Sequence, residues 1–208
     1  MNEKYACFIS YRHPGDPEAQ KYIQRFEKML KKHLCGYLPG ALVFLDETGL
    51  RNGIIDKKLA NALCHSACFV IFFSRHHFDL SHPYCAREYH AMVKLETARL
   101  SVIPDLEKDG LIFTVARRDF DRIPDEIRSK RICHDFGEVD VESDFEEKPC
   151  QKKIDELAKA IANRYEKLVN GNAFNLNECD GFELCETAEI RDWLIEVAPL
   201  KTQVMPGF

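Results

Sequence analysis

Along this chain, short and continuously apolar runs alternate with longer segments whose apolar positions recur every three to four residues. Cys68 to Phe73 (Cys-Phe-Val-Ile-Phe-Phe) has no polar interruption, as in a strand buried on both faces. Tyr5 to Ser10 reads the same way, and Ala41 to Leu45, Leu111 to Val115 and Lys130 to His134 complete a set of five strands. The run Ser101-Val102-Ile103-Pro104 competes with Leu111 to Val115 for the fourth position. Between the strands the period changes. Asp16-Pro17-Glu18 places an N-cap, a first-turn proline and an acid in order. Apolar residues at Ala19, Tyr22, Ile23, Phe26, Met29, Leu30 and Leu34 then line one face of a helix that Gly36 can end. Ile54 to Cys64, about Pro83 to Arg99, and about Gln151 to Val169 carry similar spacing, and Ile123 to Ile127 is a short turn or helix. A charged connector, Glu138 to Glu147, precedes the last long helix.

Strands that alternate with helices predict a parallel sheet with helices on both faces. Five short strands fit an α/β, flavodoxin-like five-stranded parallel sheet of order 2-1-3-4-5. Asn170-Gly171-Asn172 marks a boundary: residues 1–170 form the domain, and residues 171–208 a more acidic C-terminal tail with one short helix around Ile190, Trp193, Leu194 and Val197. The segment from Cys68 to Glu96 organises the reading. Its strand stops at Ser74, a His-rich loop follows, Pro83 opens a helix, and Glu88 falls in the second turn. A carboxylate thus stands just beyond the carboxyl end of a central strand, where open α/β sheets bind ligands.

Composition narrows the partners. With 29 basic and 34 acidic residues the net charge is −5, and Lys28, Lys31 and Lys32 read as a solvated helix face, so no nucleic-acid partner is expected. No apolar run approaches the roughly 20 residues that span a bilayer, so no membrane partner is expected either. No signal-peptide pattern precedes the first strand, and nine cysteines without a Cys-x-x-Cys pair read as reduced thiols serving as small hydrophobes in a cytoplasmic protein. His76, His77, His82 and His90 cluster near Cys85, but their spacing matches no zinc pattern, and no metal is expected.

The loops after the strands exclude several chemistries. A phospho-receiver needs paired acids after the first strand, where Ser10-Tyr11-Arg12 stands instead. A flavin-phosphate cradle would be Gly/Ser/Thr-rich, whereas this loop is basic and contains proline. Neither Gly-x-x-x-x-Gly-Lys nor Gly-x-Gly-x-x-Gly occurs. Phe8-Ile9-Ser10-Tyr11-Arg12 instead resembles the opening signature of the Toll/interleukin-1 receptor (TIR) domain family. Val43-Phe44-Leu45-Asp46, with the loop ending at Gly53 and the helix Asp56-Lys57-Lys58-Leu59, resembles its second strand and BB loop. Ser74, then Ser81-x-x-Tyr84-Cys85-x-x-Glu88, resembles its Ser…Ser-x-Trp-Cys-x-x-Glu block, with Tyr84 in place of the usual tryptophan. The resemblance covers Tyr5 to Val169, and it gives no account of Ser101 to Gly110.

That resemblance implies one of two activities. Many TIR domains cleave NAD+ at the nicotinamide–ribose bond, and others are non-catalytic scaffolds acting through TIR–TIR contacts. The expectation here is the catalytic, bacterial Thoeris-like type, an NAD+ glycohydrolase or cyclase giving ADP-ribose or a cyclic or conjugated ADP-ribose signal in antiphage defence. It uses NAD+ as substrate with no further cofactor. Self-association, a separate effector protein and a phage-derived trigger are the partners implied. Glu88 takes the family's catalytic position, and Ser10, Tyr11, Arg12, Asp46, Gly53, Ile54, Ser74 and Tyr84 are the substrate-binding candidates. One carboxylate can suffice, because nicotinamide leaves a cationic pyridinium as a neutral molecule and needs no general acid. Arg12 suits pyrophosphate, whose oxygens match a guanidinium. Residues 46–54, with Gly49 and Gly53, suit a mobile lid. The competing reading of Glu88 is an ion pair with Arg87 or a nearby lysine on a solvated helix face.

Overall fold

β3 (Ser66–Phe73) is buried at all eight of its residues, and the fold is arranged to make that possible. It pairs in parallel with β1 (Tyr5–Tyr11) on one side and β4 (Ile112–Ala116) on the other. β2 (Val43–Leu45) and β5 (Ile132–Asp135) close the edges, and their side chains are half-buried or exposed. The strand order in this computed structural model is β2-β1-β3-β4-β5, the expected five-stranded parallel sheet. The structure describes residues 4–13, 15, 17–46, 53–103, 106, 110–137 and 147–198.

α1 (Pro17–Tyr37) and α5 (Lys148–Asn170) pack on each other across one face, and α2 (Gly53–Cys64) and α3 (Tyr84–Val102) cover the other. Each helix buries the stripe its spacing predicts: Tyr22, Ile23, Phe26, Leu30 and Leu34 on α1, and Ile154, Leu157, Ala158 and Ile161 on α5. Lys28, Lys31 and Lys32 are solvated, as expected. α1 runs through Gly36 to Tyr37, and the turn that follows places Gly40 at a φ of +78°, so Gly40 supplies the left-handed residue. Ser101 and Val102 form the last turn of α3 rather than a strand, which removes the competing fourth strand. Lys130 ends a short helix, α4 (Asp125–Lys130), and β5 starts two residues later. Asp16 and residues 138–146 lie outside the described residues, so the expected N-cap and most of the charged connector do too.

Residues 171–198 lie against the same core. Ala173, Phe174, Leu184, Cys185, Ile190 and Leu194 are all buried. The tail helix, α6 (Arg191–Val197), stacks Trp193 on Tyr89 of α3 at 5.4 Å between ring centroids. Trp193 also donates its indole N–H to Glu126 of α4. Cys179 is joined by a disulfide to Cys64 at the end of α2, which corrects the expectation of thiols throughout. The other seven cysteines are free, and Cys7, Cys68, Cys85, Cys150 and Cys185 are buried as small apolar groups. Burial pushes the Cys68 thiol up to about 12 and the Cys150 thiol up to about 11, far from a reactive thiolate. Among the described residues, no helix is long and apolar enough to cross a membrane.

Two measurements follow from this packing. The disulfide closes a span of 115 residues, and bridges of that kind contribute about 2–4 kcal/mol. Cys179→Ser lowers the thermal midpoint of oxidised protein, while added reductant lowers that of wild type and leaves the variant unchanged. The second concerns His77, which is fully buried between the rings of Phe73 and Phe78. Burial first, then the charge of Arg12, pushes its imidazole from 6.5 down to about 3, against a smaller upward pull from the Phe72 backbone. Between those values the unfolded chain takes a proton that the folded protein refuses, so stability is full above pH 6.5 and falls toward pH 3. The slope from this group is at most about 1.4 kcal/mol per pH unit. Chemical denaturation across that range measures it, and His77→Phe, which keeps the ring, flattens it.

Candidate functional site

Ser10, next to last in β1, donates its hydroxyl to Glu88 Oε2 at 2.6 Å. Both residues are buried, Ser10 at 1 % exposure and Glu88 at 7 %. A carboxylate that deep is costly unless its oxygens are hydrogen-bonded, and a hydroxyl at this distance meets that need. Two elements far apart in sequence therefore converge: the end of β1 and the second turn of α3. α3 starts at Tyr84, with Pro83 as its N-cap residue and no side-chain cap. Before it, Asp79 accepts hydrogen bonds from the backbone N–H and the hydroxyl of Ser81, both at 2.8 Å. Those bonds, with the charges of Arg12 and His82, hold the Asp79 carboxyl below the usual range against the opposing effect of burial. Ser81 is thus spent on this turn and on His82, not on the cleft.

Glu88 is buried rather than on a solvated helix face. Arg87 points to the tail instead, donating to the Cys185 carbonyl at 2.7 Å and to Asp56 of α2 at 3.1 Å. Its guanidinium also lies over the Tyr84 ring, 5.3 Å from the centroid.

Around the Ser10–Glu88 pair is a cleft walled by Tyr11, His13, Asp46, Leu59, Tyr84 and Cys85. Tyr11 fixes one wall by donating its hydroxyl to the Asp46 carbonyl at 2.6 Å, while Gln20 donates to the same hydroxyl at 3.0 Å. This ties the end of β1 to the end of β2. His13 was not among the sequence candidates. Its Nε2 sits 3.7 Å from the Asp46 carboxylate, and its ring lies 4.6 Å from that of Tyr11. The signal for it was its place two residues after β1, indistinguishable in sequence from an ordinary loop histidine. The free interior is about 30 Å³, room for roughly one or two waters.

Five of the nine sequence candidates thus meet at one cleft: Glu88, Ser10, Tyr11, Asp46 and Tyr84. Two do not. Arg12 and Ser74 line a second, larger cleft, on the α1 side of the sheet edge, that adjoins the first at His13. Gly53 and Ile54 form the first residues of α2, and the Ile54 side chain, like residues 47–52, lies outside what is described.

The four histidines go separate ways. His77 is in the core, His82 bonds Ser81, His76 accepts from Arg75 at 3.1 Å, and His90 packs edge-on against Trp193. Among the described residues no group of three or more His, Cys, Asp or Glu side chains is placed to hold a metal ion. Chemically, the first cleft offers one deep carboxylate held by a hydroxyl, a second carboxylate beside an imidazole, and an aromatic wall. That set can stabilise a positive charge developing on a bound sugar.

The Ser10–Glu88 bond is worth about 1.5–3 kcal/mol, as for other hydrogen bonds to charged groups. Ser10→Ala costs that much in urea denaturation with an unchanged m-value, and Ser10→Thr, which restores the hydroxyl, recovers part of it. No family model matches the chain, and no curated protein or solved structure matches it either.

Proposed function

We propose that the chain is an NAD+-cleaving enzyme with Glu88 as its catalytic carboxylate. The observation that carries this reading is the buried Ser10–Glu88 pair at the carboxyl edge of the sheet, in a cleft shared with Tyr11, Asp46 and Tyr84. A surface carboxylate on a helix needs no such support. An adaptor acting through its outer surface gains nothing from a carboxylate held this deep.

In the proposed reaction the bond between C1′ of the ribose and the pyridinium nitrogen breaks. Its electron pair leaves with nicotinamide, which departs neutral. Positive charge grows on the ribose, and Glu88 faces it across a poorly solvated gap, where electrostatic stabilisation is strongest. Ser10 keeps the carboxylate oriented toward the ribose. Water then adds at C1′ and loses a proton, giving ADP-ribose. A hydroxyl or ring nitrogen already on the nucleotide, adding in its place, gives a cyclic product. Tyr84 offers a ring face for nicotinamide. An interior of about 30 Å³ is too small for a nucleoside, so binding requires its walls to part. Self-association through TIR–TIR contacts, release of the product to a separate effector protein, and a phage-derived trigger in antiphage defence belong to the same proposal.

Incubation of the purified chain with NAD+, with nicotinamide measured by chromatography, tests it over a range of protein concentrations. Wild type releases nicotinamide. Glu88→Ala reduces kcat by at least about 10²–10³ while folding normally. A folded wild-type protein that releases none at any concentration ends the enzyme reading, and equal rates in both proteins end the assignment of Glu88.

A further inference from the structure

Beyond the Glu88 cleft, the carboxyl edge of the sheet carries a second opening with a free interior of about 440 Å³, within the range of small-molecule sites. It lies where β1 and β3 diverge, since the helix after β1 packs on one face and the helix after β3 on the other. Its floor is apolar, made by Tyr22, Ile23, Phe72 and Phe73. Its rim is cationic: Arg12 after β1, and Arg117 and Arg118 after β4.

Three guanidiniums around one opening are unexpected in a chain of net charge −5. Among the described lining residues the one carboxylate is Asp119, and it lies 3.5 Å from Arg122. Arg117 is held in place over the Tyr22 ring, 4.3 Å from its centroid. The Arg12 Nη1 is buried without a hydrogen-bond partner among the described residues. A buried donor with no partner among the described residues can take an acceptor that a ligand brings. The field of Arg12 is felt nearby: its charge works against a proton on His77 and favours the ionised form of Asp79. Guanidiniums in this arrangement match phosphate oxygens, and the Tyr22–Phe72–Phe73 floor matches a flat ring.

We propose that this second cleft binds a nucleoside phosphate, with Arg12, Arg117 and Arg118 on the phosphates and the base against the aromatic floor. The proposal does not depend on cleavage at Glu88. ADP, the probe of choice, is both a free nucleotide and one half of NAD+.

Calorimetry with the full chain at low ionic strength tests it. ADP binds, and adenosine, lacking phosphate, binds at least about tenfold more weakly. Arg117→Ala and Arg118→Ala each weaken ADP by about tenfold. Arg118 is exposed, so its loss does not threaten folding. Glu88→Gln leaves ADP affinity within about twofold. Competition in the Glu88→Gln protein separates the two sources: NAD+ displaces ADP if the cleft holds the ADP half of the substrate, and leaves it bound if the cleft takes a separate effector. No ADP binding by wild type overturns the proposal, as does ADP binding that both arginine variants leave intact. ADP binding without nicotinamide release leaves this site standing and removes the enzyme reading alone.

Discussion

Complete burial of β3 is the constraint from which the rest of the molecule follows. Its eight residues present no polar side chain but Ser66, so every neighbour must be another strand or an apolar helix face. Parallel partners on both sides and helices on both faces meet that requirement. Right-handed crossovers then send the helix after β1 to one face and the helix after β3 to the other. The connections therefore part at the carboxyl ends of these two strands, opening the ground between them to ligands. Ser10 and Ser74 stand at those two ends and serve different openings for that reason.

The same burial explains what could be read without coordinates. Continuous apolar runs and helical stripes encode which faces must leave water, and these fixed five strands, their order and the long helices. Boundaries were less legible: β5 starts at Ile132 rather than Lys130 because the short α4 takes the charged residues before it. Within the candidate site, the placement of Glu88 was legible from its offset beyond β3, and that of Ser10 from its place at the end of β1. That the two share a hydrogen bond across 78 residues was not, since nothing local encodes a contact of that span. Arg12 and Ser74 were grouped with Glu88 because all three follow strand ends. Sequence shows which edge of a sheet a residue occupies but not which side of that edge.

The tail was the least legible part. Its acidic composition suggests a solvated appendage, yet its scattered apolar residues are buried against the domain. Cys64 and Cys179 looked like two more of nine unremarkable thiols, because a pairing is a property of distance in the fold. Arg87 shows what this packing does for the site. By binding the Cys185 carbonyl and Asp56 it links α3, α2 and the tail immediately beside Glu88. The buried guanidinium serves as a strut between these elements.

This division of labour along α3 bears on how Glu88 is held. Residues 87 and 88 are both buried, one cation and one anion, adjacent in sequence. Paired with each other their charges would largely cancel. Successive residues on a helix point about 100° apart, so the arginine reaches the α2–tail side while the glutamate reaches β1. Each finds a partner on a different element, and one partner of Glu88 is the Ser10 hydroxyl. A hydroxyl donor orients a carboxylate without cancelling its charge, in contrast to the ion pair that Glu96, further along α3, makes with Arg131 at 2.6 Å.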